Sequence, residues 1–168
     1  MKQDLQVLLE CTPFLGEAHD SFPLSVIIIY NDMHAALRAA DSLERLGHQF
    51  RGKLRQCLRP VRLDYLDDPA CFEHALSDAS GADIVIVSYN GPGDFPATLK
   101  KWVNGYAAQK RTGDSAIVAL LSSQEELDQP HSPRYQFLKN ATKAAGVDFF
   151  APTPADDSFM GGRLELAG

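Results

Sequence analysis

Ala82-Asp83-Ile84-Val85-Ile86-Val87-Ser88-Tyr89-Asn90-Gly91-Pro92-Gly93-Asp94-Phe95-Pro96 is the stretch whose reading decides the fold. The unbroken apolar run Ile84 to Val87 has the pattern of a strand buried on both faces, as in a parallel sheet covered by helices. It stops abruptly at a loop rich in Gly and Pro. Beyond the loop, Leu99, Trp102, Val103 and Tyr106 recur at helical spacing, with Pro96 at the first turn. Strand, loop and helix in that order form the junction where open α/β sheets place their ligands.

Upstream, Val26-Ile27-Ile28-Ile29-Tyr30 is β-branched and apolar, the composition of a central strand. Asn31-Asp32 closes it and suits the cap of a helix carrying Met33, Ala36, Leu37, Ala40, Leu43 and Leu46, expected to stop near Gly47. His48 to Arg59 reads as a polar, basic connection. Val61, Leu63 and Tyr65 alternate with Arg62 and Asp64, the pattern of an edge strand with one wet face. Asp67-Asp68-Pro69 opens a helix with Phe72, Ala75, Leu76 and Ala79 inward and Gly81 near its end.

Downstream, the helix from about Pro96 to Lys110 is followed by a buried strand, Ala116 to Leu121. A long loop, Ser122 to His131, carries Glu125, Glu126 and Asp128. Ser132-Pro133 opens a helix with Tyr135, Leu138, Ala141, Thr142 and Ala145 on one face, closed by Gly146. Val147 to Ala151 is the last strand. Leu5 to Cys11 fits either a strand or a short helix.

The order βαβαβαβαβ with right-handed crossovers predicts a three-layer α/β/α sandwich around a five-stranded parallel sheet. The wet pattern after Val61 places strand two at an edge, which favours the flavodoxin-like order 2-1-3-4-5. The expected organisation is an N-terminal extension over 1–23, the α/β domain over 24–152, and a loose tail over 153–168.

The 168 residues suit one domain with an ample core. A formal charge of −6 argues against a nucleic-acid binder, which needs a basic face. One basic cluster exists, Arg51, Lys53, Arg55, Arg59 and Arg62, and reads as a solvated loop and strand edge. Three irregularly spaced cysteines, Cys11, Cys57 and Cys71, give neither a disulfide framework nor a zinc site, the pattern of reduced thiols in a cytoplasmic protein. No apolar run reaches membrane-spanning length, and no signal-peptide pattern opens the chain.

In the predicted topology three loops meet at the switch point between strands one and three: Tyr30 to His34, Ser88 to Phe95, and Ser122 to His131. Asn31, Asp32, Ser88, Tyr89, Asn90, Gly91, Gly93 and Ser122 are the candidate binding residues there. A nucleophile-and-base pair would need Ser88 or a Cys beside a His. His34, the one histidine predicted at the mouth, reads as a helix-capping or surface residue, so no catalytic residue and no metal ligand set is assigned.

Tyr89-Asn90-Gly91 followed by Pro96-Ala97-Thr98-Leu99-Lys100 resembles the loop signature of NADPH-dependent FMN reductases. The resemblance implies that Tyr89, Asn90, Gly91 and Gly93 contact a flavin. Asn31-Asp32-Met33-His34 stands where that family has a hydroxyl-rich phosphate loop, and a carboxylate at Asp32 opposes an FMN phosphate. From Val26 to Pro154 the chain also resembles response-regulator receiver domains. The acidic position after strand one is Asp32, a switching hydroxyl after strand four is Ser122 or Ser123, and Thr153-Pro154 stands at the Lys-Pro position. Ser88 replaces the phosphoacceptor Asp and Thr153 the Lys, so this resemblance implies a receiver-like domain without phosphorelay chemistry.

The expected function is therefore a non-catalytic regulatory or interaction domain with a protein partner or self-association, no cofactor, no nucleic acid and no membrane. The alternative is an FMN-binding oxidoreductase using Tyr89 to Gly93.

Overall fold

The computed structural model describes residues 22–51, 53–109, 114–121 and 131–152. Five parallel strands run in the order β2-β1-β3-β4-β5. They are β1 (Phe22–Tyr30), β2 (Leu54–Arg62), β3 (Ile84–Ser88), β4 (Ala116–Leu120) and β5 (Asp148–Phe150). Four helices alternate with them: α1 (Met33–Gln49), α2 (Pro69–Ser80), α3 (Ala97–Ala108) and α4 (Pro133–Ala145). The α/β class, the parallel sheet and the 2-1-3-4-5 order are those the alternation of apolar runs and amphipathic segments predicts.

The sheet separates two apolar layers because successive side chains of a strand point to opposite faces. Ile27, Ile29, Val85, Val87, Ile117 and Ala119 pack with α2, α3 and α4. Val26, Ile28, Ile86 and Leu120 pack with α1 through Ala39 and Leu43. Trp102 and Tyr106 of α3, both fully buried, stack with ring centroids 6.0 Å apart. The predicted inward face of α3 is the observed one.

Helix ends follow local chemistry. The Asp68 carboxylate accepts from the Ala70 and Cys71 amides at 2.8 and 3.0 Å with Pro69 at the first position, a strong start for α2. Gly146 closes α4 in the left-handed conformation at φ 69°.

Three expectations are corrected. The second strand is Leu54–Arg62 rather than Val61 to Tyr65, and Leu63–Asp67 is a 3₁₀ turn that drops Leu66 into the core. The strand hides in sequence because it carries Arg55, Cys57 and Arg59 on its exposed face and contains Pro60. Pro60 is tolerated because of register. Phe22 N–H donates to Lys53 C=O at 2.8 Å, so the odd-numbered residues of β2 bond to β1 and the missing Pro60 N–H falls on the outer edge.

Second, α1 runs through Gly47 to Gln49, and the left-handed residue beyond it is Arg51 at φ 54°. Third, α1 buries Ala35, Ala36, Ala39 and Leu43, while Met33 and Leu37 face solvent at 45 and 47 % exposure. β1 begins at Phe22, two residues before the expected start. The readings of Leu5 to Cys11, of the loop 122–130 and of the tail from 153 lie outside the described residues, and no described helix is long and apolar enough to cross a membrane.

Candidate functional site

β1 and β3 are neighbours whose following helices lie on opposite sides of the sheet, which makes their carboxyl ends the switch point where such sheets place ligands. The loops after them meet there as predicted. Asn31 Nδ2 donates to the Asn90 carbonyl at 2.5 Å, and the Asn90 amide donates back to Asn31 Oδ1 at 2.8 Å. Asn90 Nδ2 donates to Asp32 Oδ2 at 3.1 Å, while Asp32 Oδ1 accepts from the Ala35 amide at 2.9 Å and caps α1. Asn31, Asp32 and Asn90 thus form one hydrogen-bonded knot that joins the two loops.

Partial burial of Asp32 pushes its pKa up, but the Ala35 amide, the Asn90 side chain and nearby His34 outweigh it and hold the carboxyl below its ordinary value. Its stabilising contribution is complete above the ordinary carboxylate range and is lost as pH falls through the lowered pKa. Asn90→Ala removes the side-chain hydrogen bond to the Asp32 carboxylate while keeping both backbone bonds to Asn31. It is expected to cost about 1–2 kcal/mol at neutral pH, the worth of one bond to a charged group. The gap between wild type and Asn90→Ala should narrow below about pH 4, as the carboxylate that Asn90 serves becomes protonated. Urea titrations across pH check this, and a gap that widens in acid contradicts it.

Ser88 ends β3 at the switch point and faces inward. It is 1 % exposed, and its hydroxyl donates to the Ala35 carbonyl at 2.7 Å, fastening the end of β3 to α1. Asp32 stays at the mouth, His34 is exposed, and Ser122 lies outside the described residues.

The loop after β3 is held by a residue that the sequence analysis did not single out. Arg134, at the start of α4 and 2 % exposed, donates from Nε to Gly93 C=O at 2.5 Å and from Nη2 to Gly91 C=O at 2.6 Å. Its guanidinium lies 4.6 Å from the Tyr89 ring centroid and 5.6 Å from that of Phe95. Tyr89 and Phe95 meet edge to face at 5.4 Å. Gly91 and Gly93 take φ of 121° and 86°, a backbone that side-chain-bearing residues rarely adopt, and this turns both carbonyls toward the guanidinium. Asp94 pairs with Lys100 and accepts from the Phe95 amide at 2.8 Å. Lys100 foremost, then that amide, lowers its pKa.

A sequence signal for Arg134 does exist. It stands four and seven residues before Leu138 and Ala141, on the apolar stripe of α4, where a cation marks burial. Arg38 was likewise missed; its guanidinium reaches from α1 to the Leu121 carbonyl at the end of β4.

Sheet order and crevice define a flavodoxin-like α/β domain. No family model matches this chain, and no curated protein matches it. Among the described residues no group of three metal-ligating side chains comes together.

Proposed function

We propose that this chain is a receiver-like interaction domain that carries out neither phosphorelay nor flavin chemistry. The observation that carries the reading is the Arg134 guanidinium. It covers the Tyr89 ring and engages the Gly91 and Gly93 carbonyls, so the loop that would hold a planar ligand is already filled from within. Two further features support it. Asp32 puts a carboxylate where a flavin phosphate would need donors. Met33 and Leu37, one turn apart on α1 and nearly half exposed, give an apolar surface beside the crevice mouth that suits a protein contact.

The FMN-binding alternative makes the opposite demand, a free Tyr89 face. Titrating FMN with the purified chain is expected to leave flavin fluorescence and the visible spectrum unchanged into the high micromolar range. Stoichiometric quenching that disappears in Tyr89→Ala overturns the proposal and makes the chain a flavoprotein.

A further inference from the structure

We propose that the basic face of β2 is a docking surface for an acidic segment of a partner protein, an inference that rests on the interaction reading above and names its partner's chemistry. Five of the chain's sixteen cationic side chains lie between Arg51 and Arg62, a stretch without a carboxylate. The fold turns this stretch into a row. Lys53, Arg55 and Arg59 fall on one exposed side of β2, because alternate residues of a strand share a face. Arg51 precedes them, also exposed, and Arg62 closes the strand.

Among the described residues only part of this charge is answered. Arg59 pairs with Asp78 of α2 at 2.6 Å, and Arg62 with Asp64 at 3.2 Å. The side chains of Arg51, Lys53 and Arg55 make no ion pair or hydrogen bond with the described residues. Neighbours on a strand face stand roughly 7 Å apart, within a Debye length, so these charges repel one another. The rest of the chain sets eleven cations against twenty-two carboxylates. A basic row that the described residues answer only in part, on so acidic a body, is the complement of an acidic peptide and a poor match for a nucleic acid. A duplex large enough to engage the row would also meet the acidic flanks, including Asp64 and Asp78.

Charges on an edge strand also deter sheet-to-sheet aggregation. That role is served by either sign, whereas docking needs the positive one, and the two separate by charge reversal. A short labelled poly-glutamate peptide is titrated into the full chain by fluorescence anisotropy at low and physiological salt. Saturable binding that weakens with salt is expected. The Lys53→Glu/Arg55→Glu variant should stay monomeric and lose affinity roughly tenfold or more. Arg45→Glu, on α1 and paired with Asp41 at 2.9 Å, should bind as wild type does. Absence of peptide binding, an equal loss in Arg45→Glu, tighter binding of a DNA duplex, or wild-type self-association abolished by the reversal each overturns the inference. None of these outcomes bears on flavin binding at the crevice, so failure here and failure of the functional reading are separately visible.

Discussion

Arg134→Ala is expected to destabilise the domain by about 2–4 kcal/mol and to free the loop after β3. The substitution removes two short hydrogen bonds from a charged donor, to Gly91 and Gly93, together with the cation stacked on Tyr89 and Phe95. Each bond to a charged group is worth more than a neutral one, and the two carbonyls lose a partner that a small side chain cannot replace. Arg134→Lys should recover only part of the loss. An ammonium is a point charge without the planar fork that reaches two carbonyls while stacking on an aromatic ring. Urea unfolding gives the stability change, and amide exchange over Gly91 to Phe95 gives the local one. A stability change under about 0.5 kcal/mol with unchanged exchange would show that the loop is held by something else.

Trp102→Ala is expected to cost about 3–5 kcal/mol, a large share of the stability of any small domain. Trp102 is fully buried, stacks on Tyr106, and lies in the layer formed by β1, β3, β4 and the α2–α4 side. Its removal leaves a void that a close-packed interior fills only in part. Trp102→Phe should cost distinctly less than the Ala variant. The indole Nε1–H has no hydrogen-bond partner among the described residues, so Phe removes a buried donor along with some volume. Equal losses for Phe and Ala, measured by chemical denaturation, would show that volume is not the controlling quantity.

The apolar runs Val26 to Tyr30 and Ile84 to Val87 were legible because burial on both faces imposes an uninterrupted pattern that little else produces. α3 was legible through four apolar positions at helical spacing. β2 was not, because an edge strand needs apolar residues on one side only. There the inward set was Leu54, Gln56, Leu58 and Pro60, too mixed to show alternation. The burial side of α1 was misjudged for a related reason. Small alanines lie against the sheet while larger Met33 and Leu37 stay outside, and size-blind periodicity cannot rank the two.

At the candidate site, topology alone placed Asn31, Asp32 and Asn90 together, since the order 2-1-3 brings their loops to one crevice. What they do to one another was not legible. Reciprocal bonding of Asn31 and Asn90 spans 59 positions and leaves no local trace. Arg134 reaches its loop across 41 and 43 positions, and only its place on the apolar stripe of α4 betrays it.

The bond from Ser88 to the Ala35 carbonyl decides what side chain the end of β3 can accept. An ionised aspartate in place of Ser88 would bring only acceptors to a spot where the helix already offers one, in a pocket closed to water. The carboxylate would have to stay protonated or force the first turn of α1 away from the sheet. One codon change therefore does not install a phosphorylatable carboxylate at this position. The neighbouring helix is packed around a hydroxyl, and a carboxylate there requires α1 to move first.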